Sequence, residues 1–466
     1  MGNRRTPSGS KERKGGGKSH ADAPLPAYFL WLELENVRCF GEKQRLQLCD
    51  EKGRPCRWTV LLGDNGTGKT TVLQALASLE PRLHEDPGTT GFHGPIARRY
   101  PLNVVRSLIR SGAQGRTPIR AEAGVGGRLG EARPEHIELV DWAVSERGGR
   151  GMGYVPPAWR GLICYGYGAA RRMGPAALSE RDEQFEWLYG ASATLFLEEA
   201  QLRNAEEWLL RTDHAANKPG PEKAKARSRL DVVTRLLTEK LLPDVSEIRS
   251  VPAPNGVDAA SVEARTPYGW VPIRDLGLGY RTMIAWMVDV AVRQFERYPD
   301  SADPLAEPAI VLVDEIDLHL HPQWQRTIMA YLTERFPNTQ FIVTAHSPLI
   351  VQAAEDANIV LLRREGDHVV IDNDPETVEG WRVDQVLTSD LFGLPTARPP
   401  DTEAVLEERK KLIRKARRSR KEETRLRELD AIVEALPGGE SPEDREAMEV
   451  IRRAAKHLQT GGDAGR

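Results

Sequence analysis

Trp58-Thr-Val-Leu-Leu62-Gly63-Asp-Asn-Gly-Thr-Gly68-Lys69-Thr70 decides the fold of this chain. A short β-branched run ends on a glycine, the next residues fit GxxxxGK[ST], and a helical pattern follows from about Lys69 to Leu79. Strand, glycine loop and helix, in that order, is the context in which this pattern binds phosphate. Glycines let backbone N–H groups turn inward around phosphates, and a helix N-terminus adds positive potential. On this reading Asn65, Gly66, Gly68, Lys69, Thr70 and Thr71 hold ATP. Lys69 reaches the β- and γ-phosphates, and the Thr70 hydroxyl ligates Mg2+.

Three further stretches belong to the same chemistry. Ile310-Val-Leu-Val313-Asp314-Glu315 is an apolar strand ending in two carboxylates. Asp314 is placed to hold the Mg2+ shell, and Glu315 to orient and polarise an attacking water. Ala345-His346-Ser347-Pro348 follows the strand Phe341–Thr344. His346 thus lies at the carboxyl end of a sheet strand, where open α/β folds bind ligands, in reach of the γ-phosphate. Leu276-Gly277-Leu278-Gly279-Tyr280-Arg281 opens a long apolar helix, and Gly277 and Gly279 permit close backbone approach to a phosphate there.

The rest of the chain sets bounds on these readings. With 466 residues there is ample length for an apolar core without metal or disulfide staples. Lys+Arg 65 against Asp+Glu 68 excludes a uniformly basic nucleic-acid coat. Mean hydropathy is -0.48, and no apolar run approaches the roughly 20 residues of a membrane span. The first twenty residues lack the apolar core of a secretory signal. Cys39, Cys49, Cys56 and Cys164 have no paired spacing and read as free thiols, so the expectation is a cytoplasmic protein without a membrane partner.

Residues 1–26 read as a disordered basic tail, either solubilising or a weak nucleic-acid tether. Phe29–Val37 and Arg45–Leu48 pattern as a hairpin. Residues 82–157 read as an irregular β region containing Thr117–Glu122 and His136–Val144. Residues 176–242 change to helical period, with Leu195, Leu202, Leu209, Leu230, Val233 and Leu237 on apolar faces. Ile248–Pro272 returns to strand and turn, and Pro322–Phe336 reads as one helix. Beyond about Pro400 composition shifts, and 398–466 reads as a charged helical hairpin. Glu403–Asp430 forms one arm, and Ser441-Pro442-Glu443-Asp444 starts another. Nine basic residues and no acidic one fill Arg409–Lys421. That run is a solvated helix face, a contact for the phosphate backbone of DNA or RNA, or a contact for an acidic protein surface. His319 and His321 alternate with Leu320, but without a third ligand they are weak as a metal site.

Taken together and in this order, the phosphate loop, the Gly277–Gly279 stretch, the acid pair and Ala-His-Ser-Pro resemble the ABC-type ATPase heads of the RecF/SMC/OLD group, over roughly Phe29 to Leu394. Leu34-Glu-Asn36-Val37-Arg38-Cys-Phe40 looks like that group's first strand, which brings Arg38 toward the nucleotide. Leu276–Arg281 looks like the ABC signature, and Ile316-Asp317-Leu-His-Leu-His321-Pro322 like the D-loop, with Asp317 at the dimer seam. Asp314-Glu-Ile-Asp-Leu-His-Leu-His-Pro322, Tyr165-Gly-Tyr-Gly168 with Arg171-Arg172, and Leu387-Thr-Ser-Asp-Leu-Phe-Gly-Leu394 narrow the resemblance to bacterial anti-phage ATPases, the ATPase subunits of Septu systems among them. The fold implied for residues 27–397 is α/β. It is an ABC-type head with a mostly parallel sheet, an antiparallel β region, a helical insertion and a C-terminal helical region.

The function implied is an ATPase that forms a homodimer or higher homo-oligomer around ATP and regulates a partner nuclease of HNH type. Related heads serve DNA repair or maintenance. A transporter's nucleotide-binding subunit is the more distant alternative, opposed by Ala-His-Ser-Pro and the long insertion. Gly277 replaces the signature's usual serine, and no glutamine follows Tyr165–Gly168, where Arg171 or Arg172 substitutes. The insertion has no heptad run long enough for an SMC arm. After Pro348 no Toprim-like set of acids follows, so the chain carries no nuclease site of its own.

Overall fold

The computed structural model describes residues 25–80, 107–111, 116–126, 128–129, 136–145, 152–154, 161–174, 190–252, 260–415 and 417–436. The basic tail before Leu25 and the helix start at Ser441 lie outside them. The chain forms two compact units that meet in sequence at Gly393 and Leu394.

The first unit contains strands β1 (Ala27–Leu34), β2 (Gln44–Gln47), β3 (Trp58–Leu62), β4 (Arg116–Val125), β5 (His136–Ser145), β6 (Met152–Tyr154), β7 (Cys164–Tyr167), β8 (Glu247–Val251), β9 (Ser261–Thr266), β10 (Gly269–Pro272), β11 (Ala309–Val313), β12 (Thr339–Thr344), β13 (Asn358–Glu365) and β14 (His368–Asp372). The central sheet runs β14-β13-β3-β12-β11-β7. Every pairing in it is parallel except that of β13 with β14. Strands β3, β11 and β12 are buried along their whole length, as a parallel sheet covered on both faces requires.

Alternation along these strands feeds two cores. Trp58, Val60, Leu62, Val311, Val313, Phe341 and Val343 enter one, with the 278–297 helix and its Trp286. Leu61, Ile310, Leu312 and Ile342 enter the other, with β1, β4 and the 69–78 helix. The period of two along a strand builds both faces from one set of residues. Buried Gln340 on β12 joins the sheets: its Oε1 accepts the Phe29 N–H and its Nε2 donates to the Phe29 carbonyl, both at 2.9 Å. That contact falls where β1 bulges against β4, between Phe29 and Trp31.

Three elements differ from the sequence reading. The stretches at 116–125 and 136–145 are not an irregular region of their own: they extend the β1–β2 hairpin into an antiparallel sheet ordered β2-β1-β4-β5-β6. The 322–336 helix is two, Pro322–Gln325 and Ile328–Arg335, and the Thr327 hydroxyl donates to the Gln323 and Trp324 carbonyls at the break. In the second unit, 403–430 divides into helices Pro400–Arg414 and Arg420–Glu434. Like charges three and four residues apart from Lys411 to Lys421 disfavour a continuous helix. Ser419 and Glu422 instead form a capping box that starts the second helix. The two helices pair through Arg409–Asp430 at 2.7 Å and Arg425–Glu408 at 2.9 Å.

Candidate active site

The phosphate loop leaves β3 at Gly63 and ends at Gly68, which caps the 69–78 helix in the left-handed conformation, φ 84°. Glycine is required here twice over. A Cβ at Gly68 would stand 2.3 Å from Cys39 Sγ, and one at Gly63 would stand 2.4 Å from the Leu362 carbonyl oxygen. The turn Asn36–Phe40 therefore packs directly on the loop's last glycine. Arg38 closes that turn, donating to Ser107 O at 2.6 Å, Gln74 Oε1 at 2.9 Å and Thr71 Oγ1 at 3.2 Å. Its guanidinium is thus anchored to the helix that follows the loop.

Lys69 is 7% exposed, and its ammonium donates to Gly63 O at 2.7 Å and Asp64 O at 2.9 Å. Burial lowers its pKa below the ordinary lysine value, an effect opposed by Asp314, Glu315, Asp64 and Asp317. The Thr70 hydroxyl donates to Asp314 Oδ2 at 2.7 Å, across 244 positions of sequence. The other Asp314 oxygen accepts from the Thr344 hydroxyl at 2.7 Å, and that hydroxyl accepts the Glu315 N–H at 2.6 Å. Thr344, the last residue of β12, thus uses both hydrogen-bonding faculties of one oxygen on the acid pair. Sequence reasoning missed it, although a hydroxyl closing an apolar buried strand just before Ala-His-Ser-Pro was the available signal.

Glu315 is partly exposed and adopts φ 50°. Asp317 Oδ2 accepts the His346 N–H at 3.0 Å, while Asp317 Oδ1 is buried without a partner. The His346 residue itself is exposed. Asp317 and His346, remote in sequence, therefore meet within one chain. His321 Nδ1 accepts the Gln323 N–H at 3.3 Å, capping the short helix that starts at Pro322.

Gly277 caps the 278–297 helix. A Cβ there meets nothing closer than Tyr280 Cδ2 at 3.9 Å, whereas one at Gly279 would stand 2.5 Å from the His319 carbonyl oxygen. The stretch read as signature thus packs on the stretch read as D-loop. Among the described residues no hydrogen bond joins 276–281 to 63–70.

Arg171 is 2% exposed and donates to Asp314 O at 2.6 Å, Glu315 O at 2.9 Å and Gly168 O at 3.1 Å. Burial pulls its pKa down to about 10 against the opposing pull of Asp314, Asp317 and Glu315. Arg172 is exposed, and its carbonyl accepts the Leu202 N–H. Gly166 and Gly168 allow this crowding, since a Cβ at Gly168 would stand 2.0 Å from the Thr194 carbonyl oxygen.

Thr70 and Asp314 together suit a magnesium ion, which takes oxygen ligands and is held by one or two protein groups plus substrate phosphates and water. The two oxygens already meet at hydrogen-bond distance. In the second unit, Arg409, Lys410 and Lys415 pair with Asp430, Glu407 and Glu422, and Arg418 donates to the carbonyls of Leu412, Ile413 and Lys415. The other five cations of the run, Lys411, Arg414, Arg417, Arg420 and Lys421, are exposed around the hairpin's turn.

Comparison with known proteins finds likenesses in sequence and in fold. A family model described as "AAA domain, putative AbiEii toxin, Type IV TA system" matches residues 182–352, and a second, "AAA domain", matches 32–79. The Septu protein PtuA of Bacillus mycoides (strain KBAB4) is 26% identical over 78% of this chain and 44% of its own length. The "Retron Ec83 probable ATPase" of Escherichia coli is 45% identical over 20% of this chain and 17% of its own. The chain therefore spans less than half the length of these relatives. An SMC head bound to the C-terminal winged-helix domain of ScpA aligns over 74% of this chain and 97% of its own, at 16% identity and TM-score 0.44. No helix among the described residues is long and apolar enough to cross a membrane. The chain is thus similar to the Septu PtuA proteins, and AAA-domain models match two of its stretches.

Proposed function

We propose that this chain binds and hydrolyses ATP as an ABC-type ATPase subunit of an anti-phage system. The observation that carries the reading is the Thr70–Asp314 hydrogen bond, which joins the phosphate loop to the acid pair. Asn65, Gly66, Gly68, Lys69 and Thr71 receive the phosphates, with Arg38 beside them, anchored to Thr71 and Gln74 of the following helix. Thr70 and Asp314 would hold Mg2+, which neutralises phosphate charge when bound. Glu315 accepts a proton from the attacking water, and His346 faces the γ-phosphate.

ATP closes a homodimer in which Gly277, Gly279 and Asp317 of one protomer complete the site of the other, alone or within a larger homo-oligomer. The dimer controls a separate nuclease of HNH type, as the likeness to Septu PtuA suggests. The five exposed cations of the C-terminal hairpin suit a DNA or RNA phosphate backbone. Arg420 and Lys421 stand in the first turn of a helix, where the macrodipole disfavours positive charge, so fold stability alone does not account for them.

Glu315→Gln tests the hydrolytic core of the proposal. It preserves shape but removes the base, so turnover should fall by about 10²–10⁴-fold while ATP binding survives. Undiminished turnover would refute the assignment.

A further inference from the structure

Glu315 holds a left-handed backbone conformation, which a non-glycine residue keeps only where its surroundings over-determine it. Two contacts do so. Thr344 Oγ1 accepts its N–H at 2.6 Å, and Arg171 holds its carbonyl at 2.9 Å. The same guanidinium takes the Asp314 carbonyl at 2.6 Å, so one planar fork grips both peptide groups of the acid pair. Its Nη donors go to neutral carbonyls and its Nε is buried without a hydrogen-bond partner, an arrangement that is costly unless negative charge lies close by. Asp314, Asp317 and Glu315 supply that charge.

Arg171 also touches the helix that opens at Gly277. Its Cζ lies 5.4 Å from the ring centroid of Trp286, a cation–π distance. One turn farther along, Asp289 accepts the Tyr167 hydroxyl at 2.8 Å, and the Tyr167 carbonyl accepts the Asp314 N–H at 2.8 Å. The turn carrying Glu315 and the 278–297 helix therefore share two links, both through residues 167–171.

We infer that Arg171 is the positioning residue for Glu315: it clamps the backbone of the acid pair and so aims the Glu315 carboxylate, tying that aim to the seat of the 278–297 helix. The inference rests on the hydrolytic role proposed for Glu315. Arg171→Lys keeps the charge but loses the fork that spans two carbonyls. Turnover and ATP affinity are to be measured for Arg171→Lys, Glu315→Gln and the double variant, with melting temperatures alongside.

A misaimed base should lower kcat by about 10²-fold, with the Kd for ATP unchanged. In the Glu315→Gln background the same change should add nothing, because a base already removed has no direction to lose. A merely structural arginine would give penalties that multiply, and that result overturns the inference, as does full activity of Arg171→Lys or a parallel loss of ATP affinity. Should Arg171→Lys not fold, Trp286→Phe loosens the same clamp from its other side and must show the same dependence on Glu315. Wild-type turnover in Glu315→Gln would remove the hydrolytic reading and the purpose of the clamp with it. A fall there with multiplying penalties removes the clamp alone.

Discussion

Lys69 holds the phosphate loop in shape by binding two of the loop's own carbonyls, at 2.7 and 2.9 Å. Under the proposed function, ATP offers the ammonium charged oxygens in exchange for these neutral ones. Lys69→Ala loses both the charge and the clip that shapes the loop. A hydrogen bond to a charged group contributes about 1.5–3 kcal/mol, so the Kd for ATP should rise roughly 10- to 150-fold. Titration calorimetry checks this, and unchanged affinity would count against Lys69 as a phosphate ligand. Lys69→Ala and Glu315→Gln should thus separate, one failing at binding and the other at turnover. Thr344 and Arg171 differ again, since their contacts are with the acid pair itself. Arg171 stands in the sequence beside Tyr165–Gly168, but its grip on Asp314 and Glu315, like that of Thr344, is a bond to residues remote in sequence.

At the scale of elements, Gly279 and Gly277 make a matched pair of probes. Both stand at the start of the 278–297 helix, and helix propensity alone would favour Gly279→Ala by about 0.5–1 kcal/mol. The His319 carbonyl, 2.5 Å from the new Cβ, opposes it, and overpacking of this kind costs about 1–3 kcal/mol. The clash should win, so denaturant unfolding should find Gly279→Ala less stable than wild type. Gly277 has open space, and Gly277→Asp should leave the melt unchanged.

Elements were legible where one local rule decided them. The buried runs of β3, β11 and β12 and the glycine loop after β3 stand out because burial on both faces leaves few polar positions and no charged one. The antiparallel sheet was less legible. β4 joins β1 through pairings such as Trp31 with Glu122 and β5 joins through β4, and such register is a property of the folded chain. The break at 326–327 escaped notice because the side-chain pattern of Pro322–Phe336 stays helical, while the Thr327 hydroxyl takes the Gln323 and Trp324 carbonyls. The candidate site followed the same division. Motifs picked out Lys69, Thr70, Asp314 and Arg171, whereas Thr344 emerges only from its bonds to Asp314 and Glu315.

For the whole molecule, the 276–281 stretch stands apart: among the described residues no hydrogen bond joins it to the phosphate loop of its own chain. Its neighbour within the chain is the 315–321 loop, through Gly279 and His319. If the stretch completes the nucleotide site of a second protomer, as proposed, hydrolysis should rise more steeply than linearly with protein concentration around the dimer's dissociation constant. Gly277→Asp would then set a carboxylate against the γ-phosphate held by the partner. It should abolish turnover and leave ATP binding by Lys69 and Thr70 intact. Lys69→Ala has the opposite defect, a sound signature stretch beside a poor phosphate loop. Mixed at ATP well below the raised Kd of Lys69→Ala, the two proteins form a dimer in which one composite site is whole and the other doubly impaired. For random pairing in a twofold dimer, half the dimers are mixed and each has one site of two, so activity should recover to about a quarter of wild type. Turnover measured against mixing ratio should peak near equal amounts. Dimers proven by sedimentation with no recovery on mixing would mean that the two sites fire only together, or that 276–281 is not a signature. Full activity of Gly277→Asp alone would leave only the second of these.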